Sequence, residues 1–122
     1  MLKFRWINLT SEFLMKVKLI KKSEIQPGNR IFKRVMGKTY LIRRTDLSFE
    51  IIEYMCRHQL ASLDLGELEG NIVTCSRHGW KYDIVTGKCV LGDGTSLKFC
   101  KFEEDEEWIY LILNSEGDED NY

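Results

Sequence analysis

Nowhere along this chain do apolar residues sustain the three- and four-residue spacing of a helix; they fall into short segments closed by turn-forming residues. That pattern points to an all-β fold, an antiparallel sandwich or barrel. Residues 17–20 read as a first strand, and Gln26-Pro27-Gly28-Asn29 as a turn. Segments 31–36 and 39–42 flank Gly37-Lys38, which suggests a hairpin. Residues 51–55 alternate apolar and charged side chains. The nearest approach to a helix, residues 48–55, is rich in β-branched residues and favours a strand. Further strands are expected at 72–74, at 80–84 and 88–91 around Thr86-Gly87, and at 97–102 and 108–113 around an acidic turn, 103–107.

Length then bounds the architecture. The 122 residues suffice for one domain with a core and not for two. We expect an N-terminal arm over 1–14, a single domain over 15–114 and an acidic C-terminal tail over 115–122. No segment approaches the ~20 apolar residues that span a bilayer. Residues 1–14 lack the apolar run and small-residue cleavage site of a signal peptide. The expectation is a cytoplasmic protein without a membrane partner.

The net charge of -1 hides an asymmetry: residues 1–44 hold twelve Lys and Arg against two Asp and Glu, and residues 45–122 hold six against seventeen. The simplest consequence is that the two halves attract each other across the fold. A nucleic-acid face is not expected, because the basic residues alternate with apolar ones as on solvated strands.

The four cysteines, in a chain without a secretion signal, read as core, metal-binding or redox groups and not as a disulfide framework. Both histidines lie within three residues of a cysteine, in Cys56-Arg57-His58 and in Cys75-Ser76-Arg77-His78. Paired ligands of a single zinc ion are usually separated by two or more residues, so the one-residue gap of the first box is awkward for one ion. It suits a binuclear cluster in which Cys56 and Cys75 hold one iron and His58 and His78 the other. A zinc site, or buried cysteines with incidental histidines, remain the alternatives. Cys89 and Cys100 read as strand residues packed in the core.

The two boxes, followed by Gly79-Trp80-Lys81-Tyr82-Asp83 and Thr86-Gly87, resemble the Rieske [2Fe–2S] domains of ring-hydroxylating oxygenases and the small ferredoxins that serve them. The resemblance runs from about residue 15 to 113 and is strongest over 54–92. It implies an antiparallel sandwich with a small inserted cluster-binding lobe, and one [2Fe–2S] cluster. It also implies that Tyr82 hydrogen-bonds a ligand cysteine. High-potential members carry a disulfide beside the cluster, at positions held here by Ala61 and Arg77, and a serine donor where Trp80 stands. Their absence implies a value in the lower part of the roughly -150 to +300 mV Rieske span. Family members often have proline in the third loop, which here reads Gly92-Asp93-Gly94.

Around the boxes, Trp80 is expected to pack under the lobe, Gly79 to form a turn, and Leu60 and Leu63 to cover the cluster. Arg57 and Arg77 are solvated charge or the docking surface for an acidic partner. The resemblance implies a one-electron carrier, not an enzyme, that takes electrons from a flavin-dependent reductase and passes them to an oxygenase. The alternatives are a detached Rieske domain or small subunit of an oxygenase or nitrite reductase, and a cluster-based redox sensor.

Overall fold

The computed structural model describes residues 4–9, 12–58 and 60–114; the expected tail at 115–122 lies outside them. The described residues form β-strands and two short 3-10 turns, Lys22–Glu24 and Leu63–Leu65, with no α-helix. The strands are β1 (Phe4–Leu9), β2 (Glu12–Lys21), β3 (Arg30–Val35), β4 (Lys38–Arg44), β5 (Phe49–Glu53) and β6 (Glu67–Glu69). They continue as β7 (Ile72–Thr74), β8 (Lys81–Asp83), β9 (Cys89–Leu91), β10 (Lys98–Phe99), β11 (Phe102–Glu104) and β12 (Trp108–Asn114). Three four-stranded sheets result, ordered β1-β2-β12-β11, β10-β5-β4-β3 and β6-β7-β8-β9. The described pairings are antiparallel, as the alternating pattern required.

The described residues form two compact units: one within 4–31, 43–51 and 100–114, the other within 32–42 and 52–99. In the first, β2 and β12 alternate buried and half-buried residues, except that Leu19 and Ile20 are both buried. Val17, Leu19, Ile109 and Leu111 are buried, while Lys18 lies over the Trp108 ring, 4.2 Å from its centroid. Residues 4–9, within the expected arm, pair with β2 from Phe4↔Val17 to Leu9↔Glu12.

The expected acidic turn is shorter than its charge suggests. Residues 102–104 are strand β11, where Glu103 and Glu104 pair with Lys16 (3.0 Å) and Lys22 (2.6 Å). The remaining turn is organised by Asp105. Its carboxylate accepts from the Glu107 and Trp108 amides at 2.8 and 2.7 Å and from the Tyr110 hydroxyl at 2.8 Å. These bonds, the Trp108 amide foremost, hold its pKa down at about 2.

In the second unit, the β3–β4 hairpin turns at Met36-Gly37, both at positive φ (52° and 85°), one residue earlier than the sequence suggested. The shift puts Lys38 in the strand, where its ammonium meets the buried Glu53 carboxylate at 3.0 Å. The apolar cluster of this unit includes Leu41, Ile52, Tyr54, Leu63, Val73 and Ile84, and it contains both Cys56 and Cys75. Each such aliphatic side chain contributes about 1.5–3 kcal/mol on burial. Strand β6 escaped the sequence reading because its residues, Glu67–Glu69, are mostly exposed and charged.

The charge asymmetry resolves inside the units. Lys16, Lys21 and Lys22 pair with Glu103, Glu107 and Glu104, and Arg43 with Glu50, in the first; Arg34 and Lys38 pair with Asp64 and Glu53 in the second. Each of these joins a base from residues 1–44 to an acid from the rest of the chain. No helix among the described residues is long and apolar enough to cross a membrane.

Candidate metal centre

The two boxes sit in loops that repeat one backbone pattern. In the first, the Cys56 amide donates to the Ala61 carbonyl (2.7 Å) and the Leu60 amide to the Cys56 carbonyl (2.7 Å). In the second, the Cys75 amide donates to Trp80 (2.7 Å) and the Gly79 amide to Cys75 (3.1 Å). Each cysteine therefore bonds forward five residues and is bonded back from the fourth. The fourth residue must take a left-handed conformation to close the loop. Gly79 does so at φ 75° without a side chain to resist it, and Leu60 does so at φ 55°. The repeat relates the loops despite the unequal spacing of their histidines.

The first loop is anchored from below. The Ser62 hydroxyl meets Thr39 Oγ1 on β4 at 2.8 Å, donates to Asp64 Oδ1 at 2.6 Å and accepts from the Asp64 amide at 3.3 Å. The Leu63 amide donates to the Tyr54 carbonyl at 3.1 Å. Leu63 is thereby drawn fully into the core, 0% exposed, in one apolar cluster with Cys56 and Cys75, whereas Leu60 remains 38% exposed.

The loops bring the four candidate ligands together in two pairs. Cys56 and Cys75 are buried free thiols that adjoin each other. His58 and His78 are exposed, and their Nδ1 atoms face one another at 3.0 Å with the rings nearly perpendicular, at 87°. Among the described residues no group of three or more His, Cys, Asp or Glu side chains forms a metal site on its own.

This arrangement fits a sulfur-bridged iron pair on its chemistry. Burial pushes the Cys56 thiol up, with neighbouring Cys75 adding to the effect, so a thiolate there calls for a cation to compensate it. Each facing Nδ1 presents a lone pair in the tautomer that carries its proton on Nε2, so both can donate to one metal ion. Two nitrogen donors each about 2.1 Å from one ion stand about 3 Å apart when they meet near a right angle.

Tyr82, on β8, serves the cysteine side. Its hydroxyl accepts from the Arg57 amide at 3.0 Å, which leaves its own proton to point at Cys56 Sγ, 3.6 Å away. Burial, reinforced by Cys56, pushes the phenol pKa well up, so the donor proton stays in place.

Trp80 serves the histidine side. It packs against the apolar cluster and lies on the His58 ring, with centroids 4.7 Å apart. Gly92 backs it: at φ 151°, an added Cβ would lie 2.7 Å from Trp80 Cδ2 and 2.9 Å from Cys89 Sγ. The sequence marked the loop at 92–94 without indicating this contact, whose signal was the glycine itself. A bulge in the β8–β9 pairing, between Lys81 and Tyr82, lies beside it. Cys89 packs half-buried against the core, and Cys100 is half-buried in the other unit.

The arginines differ. Arg77 is exposed, whereas Arg57 is half-buried, with its Nε and Nη1 shielded from solvent. Asp93 lies near His58, and its carboxyl is held below the usual range, first by the Thr95 amide.

Ferredoxin CarAc of Metapseudomonas resinovorans is 33% identical over 72 residues, which cover 58% of this chain and 67% of that protein. The cytidine monophosphate-N-acetylneuraminic acid hydroxylase of Cricetulus griseus is 28% identical over 113 residues, 90% of this chain. The match spans only 18% of that hydroxylase's length. Among solved structures, a chain of the complex of reduced oxygenase and oxidized ferredoxin in carbazole 1,9a-dioxygenase is 28% identical, with a TM-score of 0.52. That match covers 79% of this chain and 91% of the other. The ferredoxin of carbazole 1,9a-dioxygenase from Nocardioides aromaticivorans IC177 shares the fold, with a TM-score of 0.53 at 21% identity, covering 79% of this chain and 95% of that one. Residues 15–99 match the model of the Rieske [2Fe-2S] domain, and the chain therefore belongs to the Rieske family, whose cofactor is one [2Fe–2S] cluster.

Proposed function

We propose that Cys56, Cys75, His58 and His78 hold the cluster and that the chain carries single electrons from a flavin-dependent reductase to an oxygenase. The observation that carries this reading is the contrast between the two donor pairs: buried thiols on one side, and exposed imidazoles facing each other at 3.0 Å on the other. When bound, such a cluster supplies a one-electron couple with histidine-raised potential. The protein's part is to hold it rigidly and bring one edge near a partner. The paired backbone bonds of the two loops supply the rigidity, Tyr82 fixes the Cys56 side, and Trp80 fixes the His58 ring. His58 and His78 supply the accessible edge. The oxygenase–ferredoxin complex that resembles this chain supports an oxygenase as acceptor.

The test is an anaerobic titration of reconstituted protein. Uptake of one electron per chain, bleaching by a flavin-dependent ferredoxin reductase with NADH, and recolouring by an oxygenase would support the reading. Uptake of no electron, or bleaching that no oxygenase reverses, would overturn it.

A second reading has its own support. The hydroxylase resemblance covers 90% of this chain but 18% of the hydroxylase, as for a Rieske module that works within, or bound to, a larger oxygenase. Co-elution with a large oxygenase polypeptide at micromolar concentration would favour the module, because carriers bind their partners weakly.

A further inference from the structure

We infer that the histidine edge is a docking face for a carboxylate-rich partner surface, with Leu60 as its apolar contact and Arg77 and Arg57 as its charges. The inference rests on the electron-carrier reading above and names the chemistry of the acceptor or donor at that same edge.

Three observations carry it. The first is charge placement. Residues 45–122 hold six basic against seventeen acidic residues, yet loops 56–62 and 75–80 contain two of those bases and no Asp or Glu. Arg57 and Arg77 each adjoin one of the two histidines whose rings meet. The third loop adds one carboxylate, Asp93, kept ionised by the Thr95 amide, so the edge keeps a net excess of one positive charge. Elsewhere in the chain, Lys16, Lys22, Lys38 and Arg43 are neutralised by carboxylates within 3.0 Å. The cluster edge thus departs from an otherwise acidic half.

The second is Leu60. Its twin position in the other loop is Gly79, the residue type suited to that conformation. A leucine at φ 55°, 38% exposed, keeps a strained backbone where a glycine would serve. Strain retained beside a functional group is a reason to look for what the side chain does. Here it presents an exposed apolar side chain two residues after His58.

The third is geometric. Arg57 is half-buried, with Nε and Nη1 shielded, while Arg77 is exposed. An exposed base, a half-buried one and an apolar contact beside an electron-transfer edge suit a weak, fast encounter steered by opposite charge.

The test uses reduced holoprotein and two small oxidants of opposite charge. One electron leaves the protein and reduces hexacyanoferrate(III), a trianion, or hexaammineruthenium(III), a trication. The net charge of the whole chain is -1, which alone would favour the cation slightly. The docking face instead requires that hexacyanoferrate(III) react faster at low salt and slow as salt is added, and that the cation do the reverse. Arg77→Glu should slow the anionic reaction on the order of tenfold at 10 mM ionic strength and about two- to threefold at 0.15 M. Arg77→Gln should give about half that effect on a logarithmic scale. Lys101→Glu makes the same net change at an exposed residue of the other unit and should leave both rates unchanged.

A binding readout stands beside the rates. Redox-inert hexacyanocobaltate(III) should compete with hexacyanoferrate(III) on the wild type and not on Arg77→Glu. The inference is overturned if both oxidants follow the net charge, or if Lys101→Glu acts as strongly as Arg77→Glu. A protein that takes up no iron and sulfide fails the carrier reading itself, a result distinct from a loaded protein without charge preference.

Discussion

Replacing Tyr82 by phenylalanine removes one oxygen that serves two partners, and the two losses are measured separately. The hydroxyl accepts from the Arg57 amide at 3.0 Å and directs its proton at Cys56 Sγ, 3.6 Å away. Tyr82 is fully buried, so the stranded Arg57 amide costs about 1–3 kcal/mol of stability, the usual penalty for an unsatisfied buried donor. The effect on the cluster is smaller, because only the difference between its two oxidation states counts. A donor hydrogen bond favours the more electron-rich sulfur of the reduced state, so removing it lowers the potential. The O···S contact is long and involves a weak acceptor, which places the differential at about 0.5–1.5 kcal/mol. At 59 mV per tenfold change for one electron, this is a fall of about 20–65 mV. Voltammetry of the wild type and Tyr82→Phe, with denaturant midpoints measured in parallel, checks both figures. An unchanged or raised potential in a folded, fully loaded variant would refute the role given to the hydroxyl.

Gly92→Ala should press the Trp80 ring toward His58 and shift both the potential and the electron paramagnetic resonance spectrum. The same change in a Trp80→Phe background should have little further effect, whereas strain of the Gly92 backbone alone would act equally in both. Asp105 tests the turn between β11 and β12. Its pKa is lowered from 3.8 to about 2, so its contribution to stability is present above pH 4 and is lost as pH falls through about 2. Asp105→Asn should therefore destabilise the protein at pH 7, with the difference from wild type shrinking between pH 4 and pH 2 in urea titrations.

The all-β class was legible because period-two alternation is a local pattern, and the Cys/His spacing likewise marked the two candidate boxes that the fold brings together. Strand β7 (Ile72–Thr74) matched its expected bounds because a short β-branched run bounded by Asn71 and the candidate ligand Cys75 leaves little latitude. Strand β6 and the strand part of 102–104 were missed because Glu67–Glu69 and Phe102–Glu104 carry surface charge, and their strand state comes from pairing with β7 and β12. At the site, Tyr82 was visible through family resemblance, but the backing of Trp80 by Gly92 was not. That contact joins residues twelve apart through a turn and a bulge. The left-handed Leu60 was equally hidden, since only the backbone bonds of the closed loop demand that conformation. The charge asymmetry was read correctly as attraction between the halves, although the sequence could not say which lysine meets which carboxylate.

The claim on which the account depends is that two cysteines and two histidines share one cluster. Pulsed electron paramagnetic resonance of the reduced protein, purified anaerobically and labelled with nitrogen-15 in its histidines, tests it most directly. The account requires coupling to two histidine nitrogens, with one coupling lost in His58→Cys and one in His78→Cys. A spectrum with no histidine coupling, or a protein that binds a single metal ion without labile sulfide, would contradict it.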